Sequence, residues 1–376
     1  MEILSQKRNF LNKLTIILTT NNTRSNFIMR CLDNYQEEFG RENLKIILSD
    51  SGEASKFQEL KEIIQKKKYN LELKFINFNP SEKYENLYRD EFGKVKYQYT
   101  RRIKEAFTLV DTEYIVLAAD DDFYFPEYFY KSIVFLENNR DFGSVYGHML
   151  KFKLDKFLPY GKLVEIFVSK DNNPPNPWQE DNNFIDRLFS LGKNPWSWFS
   201  WYAVQRKEIL QITIEEALNY KIDGFLFEKF VSFCHSALYK AKKLDYFYCA
   251  RQENHFNSEY GREPFSYKRN MKQFDNFIEG CSSFLNKHKK VDYNVSKKIL
   301  LKITLKDLEE YKKNDKKEFF RKLKKKYKFI FFLQKIFFKF KLNTKIDNRL
   351  IDADYLKLPK KEVSYIKKIV ENKCIL

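Results

Sequence analysis

The sequence predicts an α/β fold, in which a sheet is flanked by helices and followed by a basic helical region. Over the first 125 residues, short apolar runs rich in β-branched residues alternate with amphipathic helical patterns. That alternation is typical of a parallel sheet covered by helices. Apolar residues make up 43% of the 376 residues, which is enough for a sizeable core and excludes a disordered or collagenous chain.

Four strands and three helices are predicted in this first part. Each strand is a short apolar run or an alternation of apolar and polar residues, and the strands span residues 14–20, 44–49, 71–78 and 113–119. The intervening helices span residues 26–39, 54–67 and 97–109. Further along, a long helix is predicted over 223–243 and a strand over 245–250. Ligands of such sheets bind at the carboxyl ends of the strands.

The charge divides the chain into two parts. Residues 286–376 contain 28 Lys and Arg against 11 Asp and Glu, a balance of +17, whereas residues 1–285 contain 41 against 40. We therefore expect one domain over 1–285, with halves that meet near residue 130, and a basic helical region after it. A basic region of this kind predicts an anionic partner, although solvated lysine-rich faces are the plainer interpretation.

The cysteines and the termini indicate a cytoplasmic protein. There are 5 cysteines, an odd number, and no CxxC pair, which disfavours a zinc site or a disulfide framework. The first residues contain no apolar signal core, and no apolar run reaches the ~18 residues of a membrane span. We therefore expect no transmembrane helix.

Three consecutive acids, Asp120 to Asp122, follow the predicted strand 113–119 directly. Adjacent carboxylates repel one another, and a divalent cation with a preference for hard oxygen ligands, Mn²⁺ or Mg²⁺, relieves that repulsion. Because side chains alternate along an extended segment, Asp120 and Asp122 are expected to face the same side. The alternative is a solvated, capped turn before the helix that begins at Pro126.

Three segments in this order resemble the GT-A-fold, nucleotide-sugar-dependent glycosyltransferases of the family-2-like bacterial type. They are LTIILTTNNTR, KIILSDSG and EYIVLAADDDFYFP, and the likeness covers about residues 12–130. The resemblance implies a Rossmann-like mixed sheet flanked by helices. Thr19 stands where that family usually has Pro, and Ser49 stands where it has the first acid of a pair.

The resemblance also implies roles for the residues that follow the strands. Thr20 and Arg24 would line the nucleotide pocket, and Asp50 would hydrogen-bond the base, with a UDP-sugar favoured as donor. Asp120 and Asp121 would bind the donor, and Asp122, with Asp120, would hold the metal ion that bridges the diphosphate.

Arg101, Arg102 and Lys104 precede the strand that leads to the acids. Arg101 is a further candidate for the diphosphate, because an arginine side chain can make bidentate contacts with phosphate. A basic helix face is the alternative.

An inverting glycosyltransferase needs a carboxylate to deprotonate the acceptor hydroxyl. Asp223 and Glu228, at the start of the predicted helix 223–243, are the candidates. Asp223 is equally a good N-cap, and Glu228 could simply form an ion pair. His255, which follows the predicted strand 245–250, resembles an additional metal ligand of some GT-A enzymes, although a lone histidine is more often structural.

An aromatic cluster follows a loop rich in Pro and Asn. Aromatic rings pack against the apolar C–H faces of sugars, so the cluster is a candidate acceptor platform, and ordinary core packing is the alternative. Its members are Trp196, Trp198, Trp201 and Tyr202.

Residues 321–345 carry ten Lys and Arg and no acid, interspersed with Phe, Ile and Leu. This composition is typical of a helix that lies in a membrane interface with its cations against anionic lipid. Packing of its Phe residues against the catalytic domain is the alternative. No recognition motif for nucleic acid accompanies the charge, so we expect no nucleic-acid partner and a protein peripheral on the inner face of the cytoplasmic membrane.

Taken together, these features predict a metal-dependent, inverting glycosyltransferase that uses a nucleotide-sugar donor. Its acceptor would be a glycan or a lipid-linked precursor of a bacterial surface polysaccharide or glycoconjugate. One alternative is a sugar-nucleotide nucleotidyltransferase, which normally needs a Gly-rich loop after the first strand, whereas TTNNTRSN has no Gly. The other is a non-catalytic membrane- or nucleic-acid-binding protein on a degenerate GT-A fold.

Overall fold

The computed structural model describes most of the chain between residues 10 and 303 and a short segment near its end. The described ranges are residues 10–20, 24–40, 44–78, 99–156, 158–168, 177–193, 201–253, 267–301, 303 and 360–371. Within these ranges a single mixed sheet is flanked by helices, as predicted.

Nine strands and nine α-helices, labelled in chain order, make up the described part. The strands are β1 (Leu14–Thr20), β2 (Lys45–Asp50), β3 (Glu72–Asn77), β4 (Tyr114–Ala119), β5 (Asp122–Tyr124), β6 (Phe142–Leu154), β7 (Leu163–Val168), β8 (Val204–Arg206) and β9 (Lys240–Gln252). The helices are α1 (Ser25–Phe39), α2 (Ala54–Lys66), α3 (Tyr99–Phe107), α4 (Pro126–Asn138), α5 (Phe184–Lys193), α6 (Lys207–Asn219), α7 (Phe225–Leu238), α8 (Tyr267–Lys289) and α9 (Lys360–Glu371).

The amino-terminal half of the sheet is parallel. Its order is β3-β2-β1-β4, so β1 lies between β2 and β4. The chain reverses its direction of winding at β1, which places a topological switch point between β1 and β4. The central residues of β1 and β4, such as Ile16 and Val116, are fully buried. Their burial on both faces explains why these strands are nearly continuous apolar runs.

The second half makes the sheet mixed. Strand β8 pairs antiparallel with both β4 and β6, and β6 pairs parallel with β9. Strand β5, which begins at Asp122, pairs antiparallel with β9, so the strand order is β3-β2-β1-β4-β8-β6-β9-β5. Strand β7 pairs antiparallel with β6 and is not part of this linear order.

One predicted element was wrong at its carboxyl end. The helix predicted over 223–243 ends at Leu238, Tyr239 adopts an extended conformation, and residues 240–252 form β9 rather than continuing the helix. Strand β9 pairs with β6 between Phe142 and Phe152. That long-range pairing overrides the local helical pattern.

Helix α9 packs against the domain, which agrees with the helical character predicted for the C-terminal region. Its Ile366 and Val370 side chains are fully buried, and the Tyr365 ring contacts the Phe125 ring at 5.3 Å between centroids. Gly161 N donates a 2.9 Å hydrogen bond to the Val370 carbonyl. The basic segment 321–345 lies outside the described residues, and none of the described helices is both long and apolar enough to cross a membrane.

Candidate active site

The ends of three parallel strands bring the predicted polar residues to one edge of the sheet. Thr20 at the end of β1 is in register with Asp50 at the end of β2, and Thr19 is in register with Ala119, the last residue of β4. The acid triplet begins directly after Ala119. The carboxyl ends of strands beside a switch point are where ligands of such sheets bind.

Asp120 and Asp121 are held by residues that follow β1. Thr20 Oγ1 donates a 2.6 Å hydrogen bond to Asp120 Oδ2. The Arg24 guanidinium bridges the two acids, with Nη1 2.9 Å from Asp120 Oδ1 and Nη2 3.0 Å from Asp121 Oδ2. Both acids are buried. Burial raises the pKa of Asp120 to about 7, and Arg24 opposes that rise.

Asp122 is paired with Arg251, a residue that the sequence did not single out. The two residues are directly opposite in the antiparallel pairing of β5 and β9, and Arg251 Nε lies 3.2 Å from Asp122 Oδ1. Burial acts to lower the pKa of Arg251, but the charge of Asp122 raises it well above its usual value. The sequence provided only a weak indication of this role, because Arg251 directly follows the predicted strand 245–250.

The described acids do not form a ready-made metal centre. No group of three or more His, Cys, Asp or Glu within the described ranges has its donor atoms placed for a metal ion. Asp120, predicted as a metal ligand, accepts a hydrogen bond from Thr20 and forms an ion pair with Arg24. Asp122, the principal predicted ligand, forms an ion pair with Arg251, and the metal-binding roles of both acids stay predictions. Guanidinium groups offset the same negative charge that a divalent cation would offset. The other predicted ligand, His255, lies outside the described residues.

Asp50 and Arg102 of α3 lie at the carboxyl ends of β1 and β2, where Arg102 Nε donates a 3.1 Å hydrogen bond to Ser49 Oγ. Asp50 is fully buried, and its Oδ2 accepts hydrogen bonds from Gly52 N at 2.8 Å and Asn77 Nδ2 at 2.9 Å. Arg102, not Arg101, is the buried arginine of this helix, and its Nη2 donates to the Thr20 carbonyl at 2.6 Å. Arg102 therefore ties the ends of β1 and β2, and a role for Arg101 stays a prediction.

Asp223 does not cap the helix that follows it, so the alternative of a simple N-cap does not hold. Gly224, with φ 59°, is the N-cap residue of α7. Asp223 Oδ1 instead accepts hydrogen bonds from Thr100 N at 2.9 Å, Thr100 Oγ1 at 3.1 Å and Gly224 N at 2.8 Å. Because Thr100 is in the first turn of α3, Asp223 satisfies a terminal N–H group of that helix from a distant part of the chain.

Glu228 lies in the first turn of α7 and has a different environment. Its Oε2 is buried and has no hydrogen-bond partner in the described part of the chain. Burial raises the pKa of Glu228 to about 8, and the charge of Arg251 opposes that rise. A buried carboxyl group that titrates near neutral pH and interacts with Arg251, the partner of Asp122, has the properties of a general base.

The aromatic cluster is divided between the core and the site. Trp201 is buried and packs on Tyr99 and Phe227, with ring centroids 5.5 Å apart in both pairs. Its prediction as an acceptor platform was therefore wrong, because the apolar ring is enclosed by core aromatics. Tyr202 is buried beneath Arg251, whose guanidinium lies 4.7 Å from the ring centroid. Trp196 and Trp198 lie outside the described residues.

No protein-family model matches the chain, and no curated protein matches it. The chain is similar in structure to S. aureus TarS 1-349, with 11% sequence identity, a TM-score of 0.48, and coverage of 77% of this chain and 70% of that one. For the same protein in complex with UDP, the identity is 12%, the TM-score 0.47 and the coverage 77% and 70%. The mannosyltransferase PcManGT from Pyrobaculum calidifontis, in complex with GDP-Man and Mn²⁺, is similar with 12% sequence identity and a TM-score of 0.39. The match covers 75% of this chain and 70% of that one.

Proposed function

We propose that this chain is a glycosyltransferase that transfers a sugar from a nucleoside-diphosphate donor to an acceptor hydroxyl. The observation that carries the proposal is the clustering of Asp50 and the acid triplet at one edge of the sheet, with Arg251 as the link to Glu228. Asp50 ends β2 and the triplet follows β4, the two strands that flank β1, and Arg251 interacts electrostatically with both Asp122 and Glu228. This arrangement supports a nucleotide-binding edge with a carboxylate base nearby.

In the proposed reaction Glu228 acts as general base. Its carboxylate takes the proton of the acceptor hydroxyl, and the acceptor oxygen forms a bond to the anomeric carbon of the donor sugar. The bond between that carbon and the diphosphate oxygen breaks, and its electron pair leaves with the diphosphate. Attack opposite to the leaving group inverts the anomeric configuration, and Glu228 carries the proton until it is released to solvent.

Asp223 is the weaker candidate for this role. Its Oδ1 already accepts three hydrogen bonds from Thr100 and Gly224, and burial raises the pKa of Asp223 only to about 6. Glu228 Oε2, in contrast, has no hydrogen-bond partner among the described residues. A base must reach the acceptor proton with a lone pair that is not already engaged.

The donor we propose is a UDP-sugar, and we propose that Asp50 accepts a hydrogen bond from its uracil ring. We further propose a glycan or lipid-linked acceptor of surface polysaccharide synthesis, and attachment to the inner face of the cytoplasmic membrane. The support for membrane attachment is the composition of residues 321–345, with ten basic residues and no acid.

Thermal unfolding of the full-length protein with nucleotides tests the proposal. UDP, GDP, CDP and CMP are each added in Mn²⁺ and in EDTA, because a ligand that binds only the native state raises the midpoint by mass action. We expect one diphosphate to raise the midpoint and Asp50→Ala to abolish that rise. Asp245→Asn is the matched control, because its side chain is 90% exposed. An unchanged midpoint with all four nucleotides would instead favour the non-catalytic binding protein.

The corresponding sugar nucleotide is then incubated with glycan acceptors. Transfer of the sugar, followed by NMR of the new anomeric centre, separates the transferase from a nucleotidyltransferase, which would instead form or release a nucleoside triphosphate. Retention of the donor configuration would rule out Glu228 as the base of a single displacement.

A further inference from the structure

We propose that Arg251 supplies positive charge to the leaving diphosphate, together with Arg24, so that nucleotide binding does not require a divalent cation. The inference rests on the proposed glycosyltransferase function and deepens it. It concerns a residue for which neither the motifs of the sequence nor the predicted metal site provided a role.

The first argument is the charge at the triplet. Three carboxylates lie within hydrogen-bonding distance of two guanidinium groups, Arg24 at Asp120 and Asp121, and Arg251 at Asp122. A divalent cation at the same oxygens would have to displace these groups. The two guanidinium groups thus offset two of the three negative charges, which weakens the repulsion that is the physical reason to expect a metal ion.

The second argument is that Arg251 has hydrogen-bonding capacity left for a ligand. Its Nε faces Asp122, and its Nη2 donates to the Tyr202 hydroxyl. A guanidinium carries five N–H donors, more than these two contacts use. The Arg251 side chain is 27% exposed, whereas that of Asp122 is fully buried. A ligand can therefore reach part of the Arg251 side chain but not the Asp122 side chain.

The third argument is that Arg251 is held in place before any ligand binds. Its backbone is paired in the sheet opposite Asp122, and its guanidinium stacks on the Tyr202 ring at 4.7 Å. A fixed planar cation can bind two phosphate oxygens at once, which a lysine cannot do. Charge that is already oriented stabilises a developing anion without reorganisation during the reaction.

Arg24 and Arg251 differ in how firmly they are engaged. Arg24 bridges two acids with separate nitrogens, whereas Arg251 contacts Asp122 through Nε alone. Arg251 is therefore the one that can add contacts to the leaving group without giving up a bidentate pair, and it is the residue to vary.

The test measures nucleotide affinity by isothermal titration calorimetry in EDTA and in Mn²⁺. The ligands are the nucleoside diphosphate identified by thermal unfolding and its monophosphate. The full-length variants are Arg251→Gln and Arg251→Lys, and the matched control is Arg140→Gln, since Arg140 is exposed. The double variant Asp122→Asn with Arg251→Gln keeps the pair neutral in case the single variant does not fold.

We expect the wild-type protein to bind the diphosphate in EDTA within about 3-fold of its affinity in Mn²⁺. Arg251→Gln should weaken binding of the diphosphate at least about 10-fold and binding of the monophosphate by less than about 3-fold. It should also lower kcat by ~10²–10³. Arg251→Lys should recover only part of the loss.

Three results would overturn the inference. They are diphosphate binding that is lost in EDTA, an Arg251→Gln protein that binds the diphosphate like the wild type, and an equal loss for both nucleotides, which would indicate a structural role. If no nucleotide binds the wild-type protein in either condition, the proposed function itself fails, and that outcome is distinct from the other three.

Discussion

The hydroxyl oxygen of Tyr365, in helix α9, lies 3.4 Å from the backbone carbonyl oxygen of Tyr124. Tyr124 is the last residue of β5, the three-residue strand that begins with Asp122. The same hydroxyl lies 3.1 Å from Asn34 Oδ1 of α1. Helix α9 thus contacts the strand that begins with the third acid of the site.

Ile366→Ala should destabilise the protein by about 2–4 kcal/mol, because it removes a buried side chain and leaves a cavity. Ile366 is a residue of α9, and its side chain is fully buried. The free energy of unfolding from urea titration is the measurement. Ile63→Ala is the control, because Ile63 is 49% exposed and should change stability by less than ~0.5 kcal/mol. Equal effects of the two substitutions would mean that α9 does not pack as described.

Replacing the ten Lys and Arg of residues 321–345 with Gln should release the protein from anionic vesicles. Each basic residue near an anionic surface contributes roughly 1 kcal/mol of attraction. Co-sedimentation with phosphatidylserine-containing and pure phosphatidylcholine vesicles is the measurement. The substitution is preferable to a truncation, because a truncation would also remove the buried Ile366 and Val370 of α9. Vesicle binding that survives the replacement would contradict the proposed membrane attachment.

Glu228→Gln should lower kcat by ~10²–10⁴ while the affinity for the nucleotide changes by less than about 3-fold, because the amide cannot accept the acceptor proton. Steady-state kinetics with the identified donor provide kcat, and calorimetry provides the affinity. Glu208→Gln is the control, since Glu208 accepts a hydrogen bond from Tyr239 at an exposed position. A Glu228→Gln enzyme that keeps most of its kcat would exclude Glu228 as the base.

The same substitution should increase stability at high pH. Burial raises the pKa of Glu228 to about 8, above the usual value near 4.3. The folded state then holds a proton that the unfolded state has lost, so the wild-type protein loses stability as pH rises from about 4.5 to 8. Gln cannot ionise and avoids this loss. Above pH 8, the Glu228→Gln protein should be more stable than the wild type by at least ~1.4 kcal/mol, the free energy that corresponds to a shift of one pKa unit. A difference that does not grow between pH 5 and 8.5 would contradict the raised pKa.

Asp223→Ala should affect stability more than chemistry. The substitution leaves Thr100 N at the start of α3 without its acceptor, and the loss of a helix-capping interaction costs about 1–2 kcal/mol. We expect kcat to fall by less than 10-fold under conditions in which the variant remains folded, as circular dichroism can verify. If kcat falls instead by ~10³ with stability unchanged, Asp223 is the base and Glu228 is not.

Local sequence determined the amino-terminal half of the fold. Strand β1 begins and ends at the predicted residues, and β2 and β4 do so within one residue at each end. These strands are buried on both faces, so their apolar runs are continuous and end abruptly at polar residues. The position of the acid triplet after β4 followed from the same local pattern, whereas the expected roles of Thr20 and Asp50 beside it came from the family resemblance.

Long-range pairing decided the rest. Asp122 and Arg251 are 129 residues apart in the chain, and no local pattern indicates which residue of β9 lies opposite the first residue of β5. The same holds for Asp223, which accepts a hydrogen bond from Thr100 across 123 residues. Residues 240–243 became a strand because they pair with β6. Periodicity identifies residues that must be buried, but the partners they meet depend on sheet order and register, which only the tertiary structure determines.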